Sequence, residues 1–81
     1  MTEDEVKYII FRALNKTAPE AEPSELSAND NICEKLAMDS FDNLQFLLAL
    51  EEQLGLIIPE QDYGQTTSLK DLTNYILSKQ K

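Results

Sequence analysis

The sequence predicts a small all-α bundle of three main helices plus a short one, with a long first loop. Three observations carry this. Apolar residues recur at helical spacing in three segments, each opened by a capping residue. Only two glycines and three prolines occur, too few for a sandwich of many tight turns. At 81 residues there is length for one domain, read as 1–81, and for a thin core.

The first helix opens at Thr2, followed by Glu5. In this capping-box pattern each side chain reaches the other residue's backbone N–H. Val6, Ile9, Ile10, Ala13 and Leu14 then share one face. Pro19 stops the helix soon after Lys16 and Thr17. From Thr17 to about Asp39 periodicity is lost among Pro19, Pro23, Ser24, Ser27, Asn29, Asp30 and Asn31. Connections of that length are unusual in a compact domain. Leu26, Ile32 and Leu36 are the residues expected to pin this one to the core as an ordered loop.

The second helix has Asp39 or Ser40 as its cap and Asp42 at the positive end of its dipole. Leu44, Phe46, Leu47, Leu48, Leu50 and Leu54 form a broad apolar stripe, expected to be core, with Asp42, Glu51 and Glu52 on the polar side. Gly55 is the expected stop. After the connector Leu56–Pro59, residues 60–65 predict one helical turn broken near Gly64. A last helix starts at Thr67 or Ser68 and turns Leu69, Leu72, Tyr75 and Ile76 inward. Lys79 and Lys81 lie near its negative end.

Composition narrows the function. Seven basic and fifteen acidic residues give a net charge of -8, which disfavours nucleic acid and anionic membranes and favours basic protein partners. No run of about 18 apolar residues exists to cross a membrane. The acidic start lacks the marks of a signal peptide, so a cytoplasmic location is expected. Histidine is absent, which removes histidine-dependent nucleophilic catalysis and the commonest zinc ligand. Cys33 stands alone and is expected to act as a small buried or half-buried hydrophobe. The stretch from Ser27 to Asp39 lacks the alternating ligands and central glycine of an EF-hand, so no metal site is expected.

Ser40 stands where the long loop meets a helix N-terminus, a place that favours a phosphate. With no histidine to activate it, Ser40 reads either as a plain helix cap or as the substrate of another enzyme. Asp39-Ser40-Phe41, then Asp42 and Ala49-Leu50-Glu51-Glu52, resemble the acyl carrier protein family. Leu36, Ile58-Pro59 and Tyr75-Ile76 extend the resemblance over the whole chain in one register.

The resemblance implies a non-enzymatic carrier whose Ser40 receives 4'-phosphopantetheine from coenzyme A through a separate transferase. The arm's thiol would hold acyl groups as thioesters. Asp39, Phe41, Asp42, Glu51 and Glu52 would form the docking face for that transferase, a loading ligase or acyltransferase, and synthases with basic patches. A monomer is expected. Phe41 replaces the usual Leu, Ala37 a common Gly, Gln45 a frequent acid and Thr66 an apolar residue. These departures point to a specialised fatty acid, lipid or secondary-metabolite pathway. Aminoacyl or peptidyl carriage is the alternative, and an unmodified acidic helical adaptor is the alternative of another class.

Overall fold

A computed structural model describes residues 1–19 and 26–79. The capping box forms as expected. Thr2 Oγ accepts the Glu5 N–H at 3.2 Å, and Glu5 Oε1 accepts the Thr2 N–H at 2.9 Å. Helix α1 then runs Glu3–Thr17 and buries Val6, Ile10, Ala13 and Leu14. Pro23, Ser24 and Lys81, named above as loop and helix-end residues, lie outside the described residues.

The long connection contains a helical turn that periodicity does not reveal, α2 (Ile32–Lys35). Asn31 caps it by accepting the Glu34 N–H at 3.0 Å. Two backbone bonds tie this region to the start of the last helix and the chain just before it: Ile32 N–H to Thr67 O and Lys70 N–H to Ala28 O, both 2.8 Å. Ile32 is buried, and Leu26, Cys33 and Leu36 pack at the core edge. The pinning expected of Leu26, Ile32 and Leu36 therefore holds.

Helix α3 (Ser40–Leu54) ends at Gly55, whose φ of +67° is the left-handed conformation that glycine adopts most readily. The connector leads into a 3-10 helix, Glu60–Gln65, which runs through Gly64 and buries none of its own residues. Ser68 then caps α4 (Leu69–Lys79), its Oγ accepting the Asp71 N–H at 3.1 Å. Helix α1 packs on both α3 and α4, and the 3-10 helix leans on α4. The shared core is Val6, Ile10, Leu14, Phe46, Leu47, Leu50, Leu72 and Ile76. No strand forms among the described residues beyond an isolated Asn31–Ser68 bridge.

One expectation fails in α3. Leu44 and Leu48 are 40% and 46% exposed. The helix is apolar on nearly every side, and its neighbours cover only the side that carries Phe46, Leu47 and Leu50. Thr66, in contrast, is buried although polar, its hydroxyl donating to Tyr63 O at 2.9 Å. That bond satisfies a group that would otherwise be costly to bury.

Candidate functional site

The end of α2 aims the chain into the site. The Met38 N–H donates to Cys33 O at 2.8 Å and the Ala37 N–H to Glu34 O at 3.4 Å. These are the two bonds of a Schellman stop, with Ala37 left-handed at φ +54°. Glycine is the residue best suited to that position. Met38 is buried just beyond it and anchors the chain on the core. Asp39 follows as the cap of α3: its Oδ1 accepts the Asp42 N–H at 2.9 Å, and its carbonyl accepts the Asn43 N–H at 3.0 Å.

Ser40 is therefore the first residue of α3 and not its cap. It is exposed, and its hydroxyl is released from capping because Asp39 performs it. The earliest N–H groups of a helix precede its internal ladder and carry partial positive charge. An anion attached at Ser40 would meet that end.

Two open grooves flank the serine, and Phe41, 65% exposed, lines both. On the 3-10 helix side the walls are Ser40, Asn43, Leu44, Glu60 and Tyr63. On the α1 side they include Lys16, Asp42, Gln45, Leu48 and Glu52. The sequence pairs Glu51 with Glu52, but their settings differ. Glu51 is half-buried and its Oε2 accepts the Ile58 N–H at 2.8 Å, so it ties the end of α3 to the connector. Glu52 is exposed along the α1 groove. Asp39, Phe41 and Asp42 share the first turn with Ser40.

Glu60, Tyr63 and Lys16 border the site without being flagged by sequence reasoning. The 3-10 segment has no periodicity to read, and Lys16 lies far from Ser40 in the chain. Cys33 is half-buried. Burial first, and then the Asp42 charge, push its thiol above the ordinary value, which suppresses the reactive thiolate.

A family model described as the phosphopantetheine attachment site matches residues 11–76. The chain belongs to the acyl carrier protein family. An acyl carrier protein of Chlamydia caviae is 36% identical over 78 residues, which cover 96% of this chain and 95% of that protein. One from Cyanidioschyzon merolae is 32% identical over 78 residues, covering 96% and 80%. The solution structure of an Anaplasma phagocytophilum protein, assigned as an acyl carrier protein, has the same fold. Its TM-score is 0.84 at 24% identity, covering 100% of this chain and 94% of that one.

This chain is accordingly a carrier and not an enzyme, and its prosthetic group is covalent 4'-phosphopantetheine. The residues present fit that group. A phosphodiester needs a free, exposed hydroxyl and gains from a helix N-terminus, and Ser40 offers both. Among the described residues no helix is long and apolar enough to cross a membrane.

Proposed function

We propose that Ser40 bears the phosphopantetheine arm and that the start of α3 presents it to partner enzymes. The observation that carries this is the division of labour between neighbours: Asp39 caps the helix, and the Ser40 hydroxyl is left exposed and free. When bound, the arm supplies a terminal thiol on which acyl groups ride as thioesters. The chain's own residues hold the attachment point. Met38 anchors one side, the Asp39 cap fixes the first turn, and buried Phe46 and Leu47 fix the rest of α3.

Docking is assigned to Asp39, Phe41, Asp42 and Glu52, with Glu51 contributing less because it is half-buried and its Oε2 is engaged by the Ile58 N–H. A phosphopantetheinyl transferase, a loading ligase or acyltransferase, and synthases would meet this edge through Lys and Arg. Each exposed pair is worth only about 0.2–1 kcal/mol, so orientation and encounter rate are its main products. Residues 1–81 are read as one carrier domain, working as a monomer in the cytoplasm. A specialised pathway is favoured by exposed Phe41 and neutral Gln45 on the docking edge.

The test is incubation of the purified chain with coenzyme A and a broad-specificity phosphopantetheinyl transferase, followed by intact-mass measurement. One added phosphopantetheine is expected, and none on Ser40→Ala. A gain that persists in Ser40→Ala would move the site elsewhere. Presenting the modified chain to candidate fatty acyl and aminoacyl ligases then decides the cargo.

A further inference from the structure

The docking edge is not uniformly acidic. Lys16, at the last turn of α1, lines the same groove as Asp42, Leu48 and Glu52, and that groove shares Phe41 with the one lined by Ser40. The other cation on that stretch of α1 is engaged: the Arg12 guanidinium lies 5.7 Å from the centre of the Tyr8 ring. Lys7 is engaged too, pairing with Glu3 at 3.3 Å. That is the one ion pair among the described residues, so Lys16 pairs with neither Asp42 nor Glu52 despite sharing their groove. The groove floor adds exposed apolar surface from Phe41 and Leu48.

We propose that Lys16 is a selectivity-determining residue of the carrier's docking face, placed to repel partner surfaces that are uniformly basic there. Discrimination between partners can be built from a repulsive element as well as an attractive one. A partner that offers Lys or Arg to Asp42 and Glu52 brings like charge to the ammonium of Lys16, which pairs with neither acid. A partner with a carboxylate at that point avoids the penalty. Uncharged Gln45, between Asp42 and Leu48 on the groove wall, does not screen it. The favourable place of a cation at a helix C-terminus explains why Lys16 is compatible with α1. It does not explain why this cation faces the acids without pairing.

This inference rests on the Ser40 reading, and its test separates the two. Ser40 modification by a broad-specificity phosphopantetheinyl transferase with coenzyme A is timed at low and high salt. The chains compared are the unaltered one, Lys16→Glu, Lys16→Gln and Lys70→Glu. Lys70 is exposed on α4 and does not line the groove, so Lys70→Glu matches the net charge of Lys16→Glu without touching the face.

At low salt Lys16→Glu is expected to raise kcat/KM about fivefold above Lys70→Glu, as an on-rate effect that high salt removes. Lys16→Gln, which spares the helix end a misplaced anion, is expected to raise it roughly twofold by the same steering. Equal behaviour of the two Glu variants would overturn the proposal, as would a slower Lys16→Gln. No modification of the unaltered chain would instead overturn the Ser40 assignment.

Discussion

The 3-10 helix that walls one side of Ser40 is held by few contacts, and Tyr75 supplies a decisive one. Its hydroxyl donates to Asp62 Oδ2 at 2.7 Å and joins α4 to the middle of Glu60–Gln65. No residue of the segment is fully buried, and half-buried Tyr63 packs it against the core edge. Tyr75→Phe removes this bond with little else, because the ring remains buried and Lys79 can stay above it, 5.4 Å from the centroid.

A hydrogen bond to a charged partner contributes about 1.5–3 kcal/mol. Asp62 is half-buried and regains water when freed, so the lower end applies, roughly 1.5 kcal/mol. For a domain of this size each kcal/mol moves Tm by about 4–8 °C, which predicts a fall of roughly 6–12 °C. Thermal and urea unfolding followed by circular dichroism measure the loss. Amide hydrogen exchange should locate it first at residues 60–66, while α1 and α3 keep their protection. Asp62→Asn retains an acceptor and should cost less than Asp62→Ala. A Tm change under about 2 °C, or faster exchange spread evenly over α1, would refute the latch reasoning.

Other outcomes follow from single groups. Thr73 is buried and its Oγ1 finds no partner among the described residues, so Thr73→Val should stabilise by about 1 kcal/mol, read from the urea midpoint. Ala37 is left-handed within the Schellman stop. Ala37→Gly relieves about 1 kcal/mol of strain but adds freedom to the unfolded chain, for a net gain near 0.5 kcal/mol by the same assay. Burial, then the Asp62 hydrogen bond and charge, push the Tyr75 hydroxyl up to about 12. An unfolded tyrosine ionises near 10, so this contribution is whole below about pH 10 and is lost as pH rises toward about 12. Urea midpoints between about pH 9 and 11.5 should fall more steeply for the unaltered chain than for Tyr75→Phe.

Much of this molecule is decided within a few residues of chain and is legible without coordinates. Thr2 with Glu5 and Gly55 at the α3 stop are local hydrogen-bond or φ solutions, so residue type at the right offset reveals them. At the starts of α3 and α4 the same signals leave Asp39 or Ser40 and Thr67 or Ser68, and the folded chain uses Asp39 and Ser68. The place of Ser40 at the α3 start follows from the same signals. Other features depend on what lies opposite. Leu44, Leu47 and Leu48 look alike in a helix apolar on most sides, yet only the packing of α3 in the folded bundle, chiefly against α1, separates buried Leu47 from exposed Leu44 and Leu48. Neighbouring Glu51 and Glu52 part company because Ile58 presents an N–H to one of them. Lys16 and Tyr63 reach the serine's surroundings from distant parts of the chain. Local rules act through bonds a few residues apart. Which face is covered, and which charge shares a groove, is set by contacts between segments that only the folded bundle brings together.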